Sequence, residues 1–444
     1  MAHARRWLMR TGVPPLSHTE ILTADQRRVQ YIHRLLSETT TGSLAERKNS
    51  EEPPSQQLVP GPPPPSSGSV SSSPPAMPSN QSSLSSSSSG SALLTGFYVV
   101  PIGLGTPTQW YAVALDTGSD MTWVQCRPCV VFCHKQKEPI FSPANSSTYA
   151  NIPCESPYCS DHDVKVCSPG HNCAYSLNYT DYSYTMSTYG HDDLTLHTDT
   201  IKDFRFRCSH NIWGRFGHSA GVMGLGRGRT SLMVQAASKY GGVFAYCLPA
   251  DPTGTGFLEL GPGATAMVAA AKAPARLTPM LTYKGPRYYY VGLTGIKVGG
   301  HLLPISRNVF STAGTLIDSG TVITRLPPSA YRQLRSASAK DVAVLGYQQV
   351  APGFEFLDTC FNLTGLGQGI VPLPTVSLVF HGGASLDVDA TGILYVANVS
   401  RACLAFAANG RDTDMAVIGS TQQKTYSVMY DIGKKVIGFT PGAC

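Results

Sequence analysis

Two copies of one short motif could do chemistry. Asp116-Thr-Gly-Ser119 and Asp318-Ser-Gly-Thr321 each place a carboxylate before a hydroxyl, a glycine and a second hydroxyl, and the two aspartates are 202 residues apart. Each aspartate is followed by two apolar residues and a glycine, 108 residues later at Gly224 and 101 residues later at Gly419. One Asp-Thr-Gly alone is an ordinary turn sequence. Two copies in matching context predict two related lobes.

Two such lobes would bring Asp116 and Asp318 together across a pseudo-twofold axis. Adjacent carboxylates cannot both ionise cheaply, so the pair would hold one proton and titrate as a unit. The ionised aspartate would take a proton from a water that attacks a peptide carbonyl, while the protonated aspartate would stabilise the developing oxyanion. The motif therefore predicts hydrolysis of peptide bonds at acid pH, without a metal or cofactor.

Six further residues complete these two loops: Thr117, Gly118, Ser119, Ser319, Gly320 and Thr321. The residue directly after each aspartate is placed to link the two loops. The glycine permits a turn conformation that a side chain would oppose. The last hydroxyl of each loop is placed to donate a hydrogen bond to the carboxylate.

The elements that must position these loops are predicted to be strands. The chain has 444 residues with 43 Gly and 33 Pro, and only 14% of residues are charged. From Phe97 onward it consists of short alternating runs separated by glycine and proline, which is typical of strands. We expect an all-β, mainly antiparallel protein with short helices at 231–239 and 328–339.

Four segments are predicted along the chain. Residues 1–52 are a residual N-terminus with a helix, and residues 53–92, which carry no charge and are rich in proline and serine, are a disordered linker. Residues 93–280 and 281–444 are the two lobes.

The N-terminal helix is predicted from two capping boxes, Ser17 to Glu20 and Thr23 to Gln26. Apolar residues then follow at helical spacing, with arginines on other faces; these are Val29, Ile32, Leu35 and Leu36, and Arg27, Arg28 and Arg34. The pattern fits a solvated amphipathic helix. It equally fits a basic prosegment tethered to an acidic site.

Charge and hydropathy argue against nucleic-acid binding and against a membrane span. The formal net charge is +6, and no Lys/Arg run suggests nucleic-acid binding. No stretch is long and apolar enough for a membrane span, and residues 1–17 lack the apolar core of a signal peptide. We expect a monomer whose partner is a protein or peptide substrate.

Cysteines and glycosylation sequons indicate an oxidising compartment. Seven of the twelve cysteines crowd into a segment at 126–173, and such density favours disulfides. Spacing alone does not select their pairing, and a zinc or redox role for Cys126-Arg-Pro-Cys129 is disfavoured because no second CxxC follows. Sequons occur at Asn80, Asn145, Asn178, Asn362 and Asn398. We expect a secreted, vacuolar or extracellular glycoprotein whose signal peptide is missing from this sequence.

Residues 97–444 resemble plant aspartic proteases of the pepsin superfamily, in the nepenthesin-like branch with a cysteine-rich insertion in the N-terminal lobe. The resemblance rests on motifs in the expected order: Asp116-Thr-Gly-Ser-Asp-Met-Thr-Trp-Val-Gln-Cys126-Arg-Pro-Cys129, Gly224-Leu-Gly-Arg-Gly228, Asp318-Ser-Gly-Thr-Val-Ile-Thr-Arg-Leu326, Leu357-Asp-Thr-Cys360 and Cys403-Leu-Ala-Phe406. It implies the bilobal pepsin-like fold with the active cleft between the lobes.

The same resemblance implies roles for individual residues. Asp116 and Asp318 would be the catalytic dyad, Tyr179 the flap tyrosine and Trp123 a support for the flap. The N-terminal helix and linker would be a propeptide, so the protein would be a zymogen. The implied disulfides are Cys126–Cys129, Cys133–Cys208, Cys154–Cys173, Cys159–Cys167, Cys247–Cys444 and Cys360–Cys403.

The chain departs from that family at the flap. Three glycines expected there are replaced by Thr180, Tyr182 and Ser187, and the glycines expected beside Cys208 are Arg207 and Ser209. These changes predict a slower or narrower protease, or tolerated substitutions in a working one. Two other functions are open: a catalytically weak or inactive binding or inhibitor protein of the same fold, and a plastid nucleoid protease that binds DNA, which would place the protein in the chloroplast.

Overall fold

The computed structural model describes residues 6–10, 17–40, 98–161, 166–178, 184–212, 218–250, 254–270, 273–364, 373–398 and 400–444. The predicted linker at 53–92, the flap residues at 179–183 and the sequon at Asn80 lie outside these ranges. The described residues up to His33 and from Tyr98 onward belong to one compact unit, and this unit contains both aspartate loops.

Strands dominate the chain from residue 98 onward. The first thirteen are β1 (Arg6–Arg10), β2 (Val99–Leu104), β3 (Gln109–Asp116), β4 (Trp123–Gln125), β5 (Ala150–Asn151), β6 (Val166–Cys167), β7 (Cys173–Asn178), β8 (Tyr184–Leu196), β9 (Asp199–Ile212), β10 (Gly221–Gly224), β11 (Val243–Cys247), β12 (Thr255–Leu260) and β13 (Arg276–Pro279). All thirteen belong to one 15-stranded sheet, which also includes two strands from the end of the chain.

The remaining strands are β14 (Tyr290–Val291), β15 (Leu293–Val298), β16 (His301–Leu302), β17 (Thr315–Ile317), β18 (Thr324–Leu326), β19 (Gln348–Val350), β20 (Cys360–Asn362), β21 (Val376–Phe380), β22 (Ser385–Asp387), β23 (Leu394–Asn398), β24 (Arg401–Leu404), β25 (Phe406–Ala408), β26 (Ala416–Ile418), β27 (Ser427–Asp431) and β28 (Val436–Thr440). Strands β27 and β28 join the large sheet, and the rest form sheets of five, four and four strands. In β21 buried and half-buried residues alternate, as expected for a strand with one face on the core.

Seven α-helices occur in the described residues: α1 (His18–Thr40), α2 (Leu232–Gln235), α3 (Ala237–Tyr240), α4 (Pro262–Ala270), α5 (Arg307–Ala313), α6 (Pro328–Val344) and α7 (Ala390–Ile393). The helix predicted at 231–239 is divided into α2 and α3, and the one predicted at 328–339 extends to Val344. Within the described ranges, no helix is both long and apolar enough to cross a membrane.

The two aspartate motifs lie in equivalent topologies, which confirms two related lobes. In the first lobe β3 runs parallel to β10, and β10 runs antiparallel to β4. In the second lobe β17 runs parallel to β26, and β26 runs antiparallel to β18. Each motif therefore begins where one strand of such a triplet ends. The expectation of a mainly antiparallel, bilobal β fold is confirmed.

An aromatic cluster packs beneath the two loops. The rings of Phe244 and Tyr430 stack with centroids 4.5 Å apart, and the hydroxyls of Tyr246 and Tyr430 are 2.9 Å apart. All three side chains are fully buried. Because β11 and β27 are paired neighbours from the two halves of the chain, this cluster fixes one half against the other below the site.

Helix α1 begins at the first predicted capping box. Ser17 Oγ donates to Glu20 Oε2 at 2.8 Å, and the Glu20 N–H donates to Ser17 Oγ at 3.2 Å. The second predicted box, Thr23 to Gln26, is wrong, because it lies inside the helix, where backbone donors already have helical partners.

Six disulfides use all twelve cysteines, but two of the implied pairings around β4 are wrong. Cys126 bonds to Cys208 rather than to Cys129, and Cys129 bonds to Cys133. The reason is strand pairing: β4 runs parallel to β9 with Val124 opposite Cys208, which brings the Cα atoms of Cys126 and Cys208 within 5.3 Å.

Two more implied pairings, Cys154–Cys173 and Cys159–Cys167, are also wrong. The bonds join Cys154 to Cys167 and Cys159 to Cys173, each with Cα atoms 5.6 Å apart. Cys167 and Cys173 are directly opposed in the β6–β7 hairpin, so the two bridges lie side by side and their partners are the reverse of the implied ones. The Cys247–Cys444 and Cys360–Cys403 bridges are confirmed.

Candidate active site

The two motif aspartates lie at the ends of equivalent strands and are buried. Asp116 ends β3 and is 5% exposed, and Asp318 follows β17 and is 0% exposed. Ser119 Oγ donates to Asp116 Oδ2 at 2.6 Å, and Thr321 Oγ1 donates to Asp318 Oδ2 at 2.5 Å. A backbone N–H two residues after each aspartate donates to its Oδ1 at 2.9 Å.

Thr117 and Ser319 join the two loops by a reciprocal pair of hydrogen bonds. The Thr117 N–H donates to Ser319 Oγ at 3.0 Å, and the Ser319 N–H donates to Thr117 Oγ1 at 2.9 Å. Both side chains are buried. Because these bonds run between the two lobes, they fix the spacing of the carboxylates.

The glycines of the two loops permit close approach. A Cβ at Gly118 would lie 2.5 Å from Asp318 Oδ1, and a Cβ at Gly320 would lie 2.5 Å from Asp116 Oδ1. Both distances are well inside van der Waals contact. Each carboxylate therefore lies against the backbone of the opposite loop, at a spacing that any larger residue would disrupt.

A guanidinium from helix α1 occupies the space between the carboxylates. Arg28 Nε donates to Asp318 Oδ2 at 2.9 Å and Nη2 donates to Asp318 Oδ1 at 3.0 Å. Nη1 and Nη2 also donate to the two carboxylate oxygens of Asp116, at 3.2 and 2.5 Å. One positive charge thus bridges both aspartates, in the place where a water and a peptide would have to bind.

The charge of Arg28 changes how Asp318 titrates. Burial acts to raise the pKa of Asp318, but the adjacent guanidinium and the hydrogen bonds from Arg28, Thr321 and Gly320 hold that pKa below its ordinary value. Burial opposes the charge of Arg28 itself, yet the two carboxylates keep the pKa of the guanidinium well above its usual range. With α1 in place, Asp318 is held ionised.

The part of helix α1 from His18 to Arg28 is fastened to the same cleft. Ile21 and Leu22 are buried in a cluster with Val322 and Ile323, which directly follow the second aspartate loop. Nδ1 of His18 lies 3.1 Å from the hydroxyl of Tyr395. Together with Arg28, these contacts place one face of α1 over the loops.

The residues that replace the expected glycines at 187, 207 and 209 all have partners on other strands of the sheet. Ser187 and Ser209 are opposed across β8 and β9, and their hydroxyls form a buried hydrogen bond of 2.7 Å. The guanidinium carbon of Arg207 lies 3.5 Å from the centre of the Tyr175 ring.

Trp123 packs edge-on against His134, with ring centroids 6.5 Å apart. Its expected support of Tyr179 stays a prediction, since the flap tip is outside the described residues.

Sequence reasoning missed the residue that contacts both aspartates. The helical spacing puts Arg28 with Arg27 and Arg34 on faces other than the apolar one, and even the prosegment interpretation does not single out Arg28, which contacts both aspartates. A signal was present, because Asp25 and Arg28 are one helical turn apart on the same face as the buried Leu22 and Val29.

Within the described ranges, no group of three or more His, Cys, Asp or Glu side chains is arranged to hold a metal ion.

Comparison with known proteins identifies a family. Residues 98–262 match the family model described as xylanase inhibitor N-terminal, and residues 288–441 match the one described as xylanase inhibitor C-terminal. An Arabidopsis thaliana protein named as an aspartyl protease family protein is 38% identical over 434 residues, covering 96% of this chain and 82% of the relative. Nepenthesin-2 of Nepenthes gracilis is 32% identical over 359 residues, covering 79% and 78%.

Solved structures share the fold at lower identity. The crystal structure of edgp aligns with a TM-score of 0.61 at 21% identity, over 79% of this chain and 95% of that one. Basic 7S globulin from soybean aligns with a TM-score of 0.60 at 22% identity, over 78% and 93%.

Proposed function

Because the chain belongs to the plant aspartyl proteases, in the pepsin-like branch that includes the nepenthesins, we propose that it is an acid endopeptidase held latent by its own helix α1. The observation that carries the proposal is the bridging of two carboxylates, from equivalent loops of the two lobes, by the single guanidinium of Arg28.

Latency follows from the charge and position of Arg28. The reaction needs one aspartate protonated and one ionised, but the Arg28 guanidinium, in contact with both carboxylates, holds the pKa of Asp318 below its ordinary value. The guanidinium also fills the space in which water would be activated. Withdrawal of α1 would therefore restore both the shared proton and the water.

In the open site, Asp116 and Asp318 would share one proton across the spacing set by Thr117 and Ser319. The ionised carboxylate would remove a proton from water as the water oxygen bonds to the peptide carbonyl carbon. The protonated carboxylate would donate to the carbonyl oxygen. Collapse of the tetrahedral intermediate would break the C–N bond, with a proton passing to the leaving amine.

The direct test is digestion of a denatured protein by the purified full chain at pH 3 to 7, with and without a statine-type inhibitor. We expect peptides at acid pH and a block by the inhibitor. Absence of peptides at every pH, from protein whose disulfides and fold are intact, would refute the proposal.

The matching family models favour a second candidate, because both are described by xylanase inhibition. A protein of that class would bind a glycoside hydrolase and would not need the dyad. The same sample distinguishes the two, since an inhibitor would lower xylanase activity at stoichiometric concentration without cleaving the denatured protein. The complete aspartate loops favour the protease.

We also propose that the protein folds in the secretory pathway, because all twelve cysteines are in disulfides. The sequon residues Asn145 and Asn398 are exposed, so both are open to glycosylation. Protein from plant cells should lose mass on treatment with a glycosidase that removes N-linked glycans, and an unchanged mass would contradict this route.

A further inference from the structure

A buried ion pair lies one helical turn from Arg28. Asp25 Oδ2 is 2.9 Å from Arg325 Nη2, and the two side chains are 0% and 3% exposed. Asp25 Oδ1 accepts a hydrogen bond of 2.5 Å from the Val322 N–H. Gln26 Oε1 accepts one of 2.8 Å from Arg325 Nη1. Helix α1 thus supplies a carboxylate and an amide to one corner of the cleft.

Arg325 belongs to the body of the protein. It lies in β18, four residues after Thr321 of the second aspartate loop, and its guanidinium carbon lies 3.6 Å from the centre of the Phe356 ring. In the described residues, the hydrogen-bond and ion-pair partners of its side chain are all on α1. Two titratable groups that interact with Arg325, Asp25 and His33, are also on α1. Tyr395 of β23 faces Asp25 from the body of the protein.

Withdrawal of α1 would leave this corner with a cation and a backbone donor and, within the described ranges, without the carboxylate and amide that now accept from Arg325. A guanidinium in apolar surroundings is costly unless it is paired, and an unsatisfied buried N–H is costly as well. A ligand carboxylate placed where Asp25 lies would satisfy both groups. The corner therefore has the chemistry of a site for an acidic side chain.

We propose that Arg325 and the Val322 N–H form a substrate subsite that selects an aspartate or glutamate near the scissile bond. The proposal rests on the proposed function. Asp25 and Arg28 are separated by a rise of about 4.5 Å along the helix axis, and an extended substrate advances about 3.3 Å per residue. The selected residue lies within about two positions of the bond that is cut.

The test uses two peptides that differ only by Glu or Gln at one such position, cleaved by the acid-treated full chain. At pH 5.5 we expect kcat/KM to be about ten- to a hundredfold higher for the Glu peptide, the range for a hydrogen bond to a charged group. The ratio should fall towards one below about pH 4, where the Glu side chain takes up a proton. In Arg325→Gln the ratio should be close to one at every pH.

A charge-swapped variant separates substrate selection from the anchoring of α1. Asp25→Lys combined with Arg325→Glu keeps opposite charges buried together, so α1 remains anchored, but it should shift the preference from a Glu peptide to a Lys peptide. If Arg325 only anchors α1, Arg325→Gln will weaken latency and leave the Glu/Gln ratio unchanged. That result, or a wild-type ratio near one, would overturn the subsite.

Binding gives a readout that does not need turnover. In Asp25→Ala combined with Arg28→Ala, two polar anchors of α1 are removed, and calorimetry at pH 5.5 should show tighter binding of the Glu peptide. If neither peptide is cleaved by the wild type but this difference is seen, the endopeptidase proposal fails and the subsite stands. Equal binding of the two peptides would overturn the subsite.

Discussion

Replacing Arg28 with alanine should convert the latent chain into an active one. The substitution removes four hydrogen bonds to Asp116 and Asp318 and the only charge described between them. In this variant α1 covers two buried carboxylates whose charge is no longer balanced by the Arg28 guanidinium, so the docked form is destabilised. Withdrawal of the helix then gives the carboxylates access to water, so the open form becomes favoured.

The burial of Arg28 sets how far Arg28→Ala shifts the equilibrium between the docked and the open form. Removing one partner of a buried ion pair costs about 3 to 5 kcal/mol, and the lower end applies because the Arg28 side chain is 24% exposed. A change of about 3 kcal/mol shifts an equilibrium by about a hundredfold. The open fraction of Arg28→Ala should rise by that factor, up to the limit at which every molecule is open.

The assay is the initial rate of cleavage of a quenched fluorescent peptide at pH 5.5 by freshly purified full chain. Arg28→Lys keeps the charge but loses the fork that contacts both carboxylates, so its rate should lie between those of the wild type and Arg28→Ala. Arg27→Ala removes the adjacent arginine, which takes no part in the contacts described for the dyad, and should stay latent. If Arg28→Ala is no faster than the wild type, while both cleave after acid treatment, the account of latency is wrong.

The disulfide framework and the pH dependence of latency give two further predictions. Peptide mapping without reduction should recover Cys126 linked to Cys208, and recovery of Cys126 linked to Cys129 would contradict the strand register. Burial lowers the pKa of His18 in the docked helix, so docking is stable above the ordinary pKa of about 6.5 and weakens as pH falls below it. Because the pKa of Asp318 is lowered in the docked state, docking of α1 weakens further as pH falls below about 4. Burial raises the pKa of Asp25, so protonation of Asp25 has the opposite effect and favours docking. Exposure of α1 to a protease should therefore increase on acidification, and a flat profile would contradict it.

The repeat was predictable because it is encoded by local sequence. A buried strand that ends in Asp, a hydroxyl residue and glycine has few ways to fold, and two copies imply the same topology twice. The mutual bonding of Thr117 and Ser319 follows from that symmetry. The hydrogen bonds between Thr117 and Ser319 could therefore be expected without knowing the order of the strands in either sheet.

The disulfide pairing and the partners of Arg28 could not be found in this way, because both depend on distant parts of the chain; the sequence offered only a basic prosegment as one of two interpretations and the shared helix face of Asp25 and Arg28. Cys126 meets Cys208 only because β4 lies beside β9, a pairing across 82 residues that spacing does not reveal. Arg28 meets Asp318 across 290 residues. A helix with a basic face is usually solvated, and only the placement of α1 over the cleft gives this arginine a partner.

The measurement that tests the central claim most directly is kcat/KM of Asp116→Asn and of Asp318→Asn on a peptide that the acid-treated wild type cleaves. Each substitution removes one carboxylate and keeps its size, so circular dichroism should show an intact fold. The account predicts that turnover falls by at least about a thousandfold in both variants, because neither aspartate alone can be both acid and base. Turnover within tenfold of the wild type in either variant would contradict the assignment of the dyad.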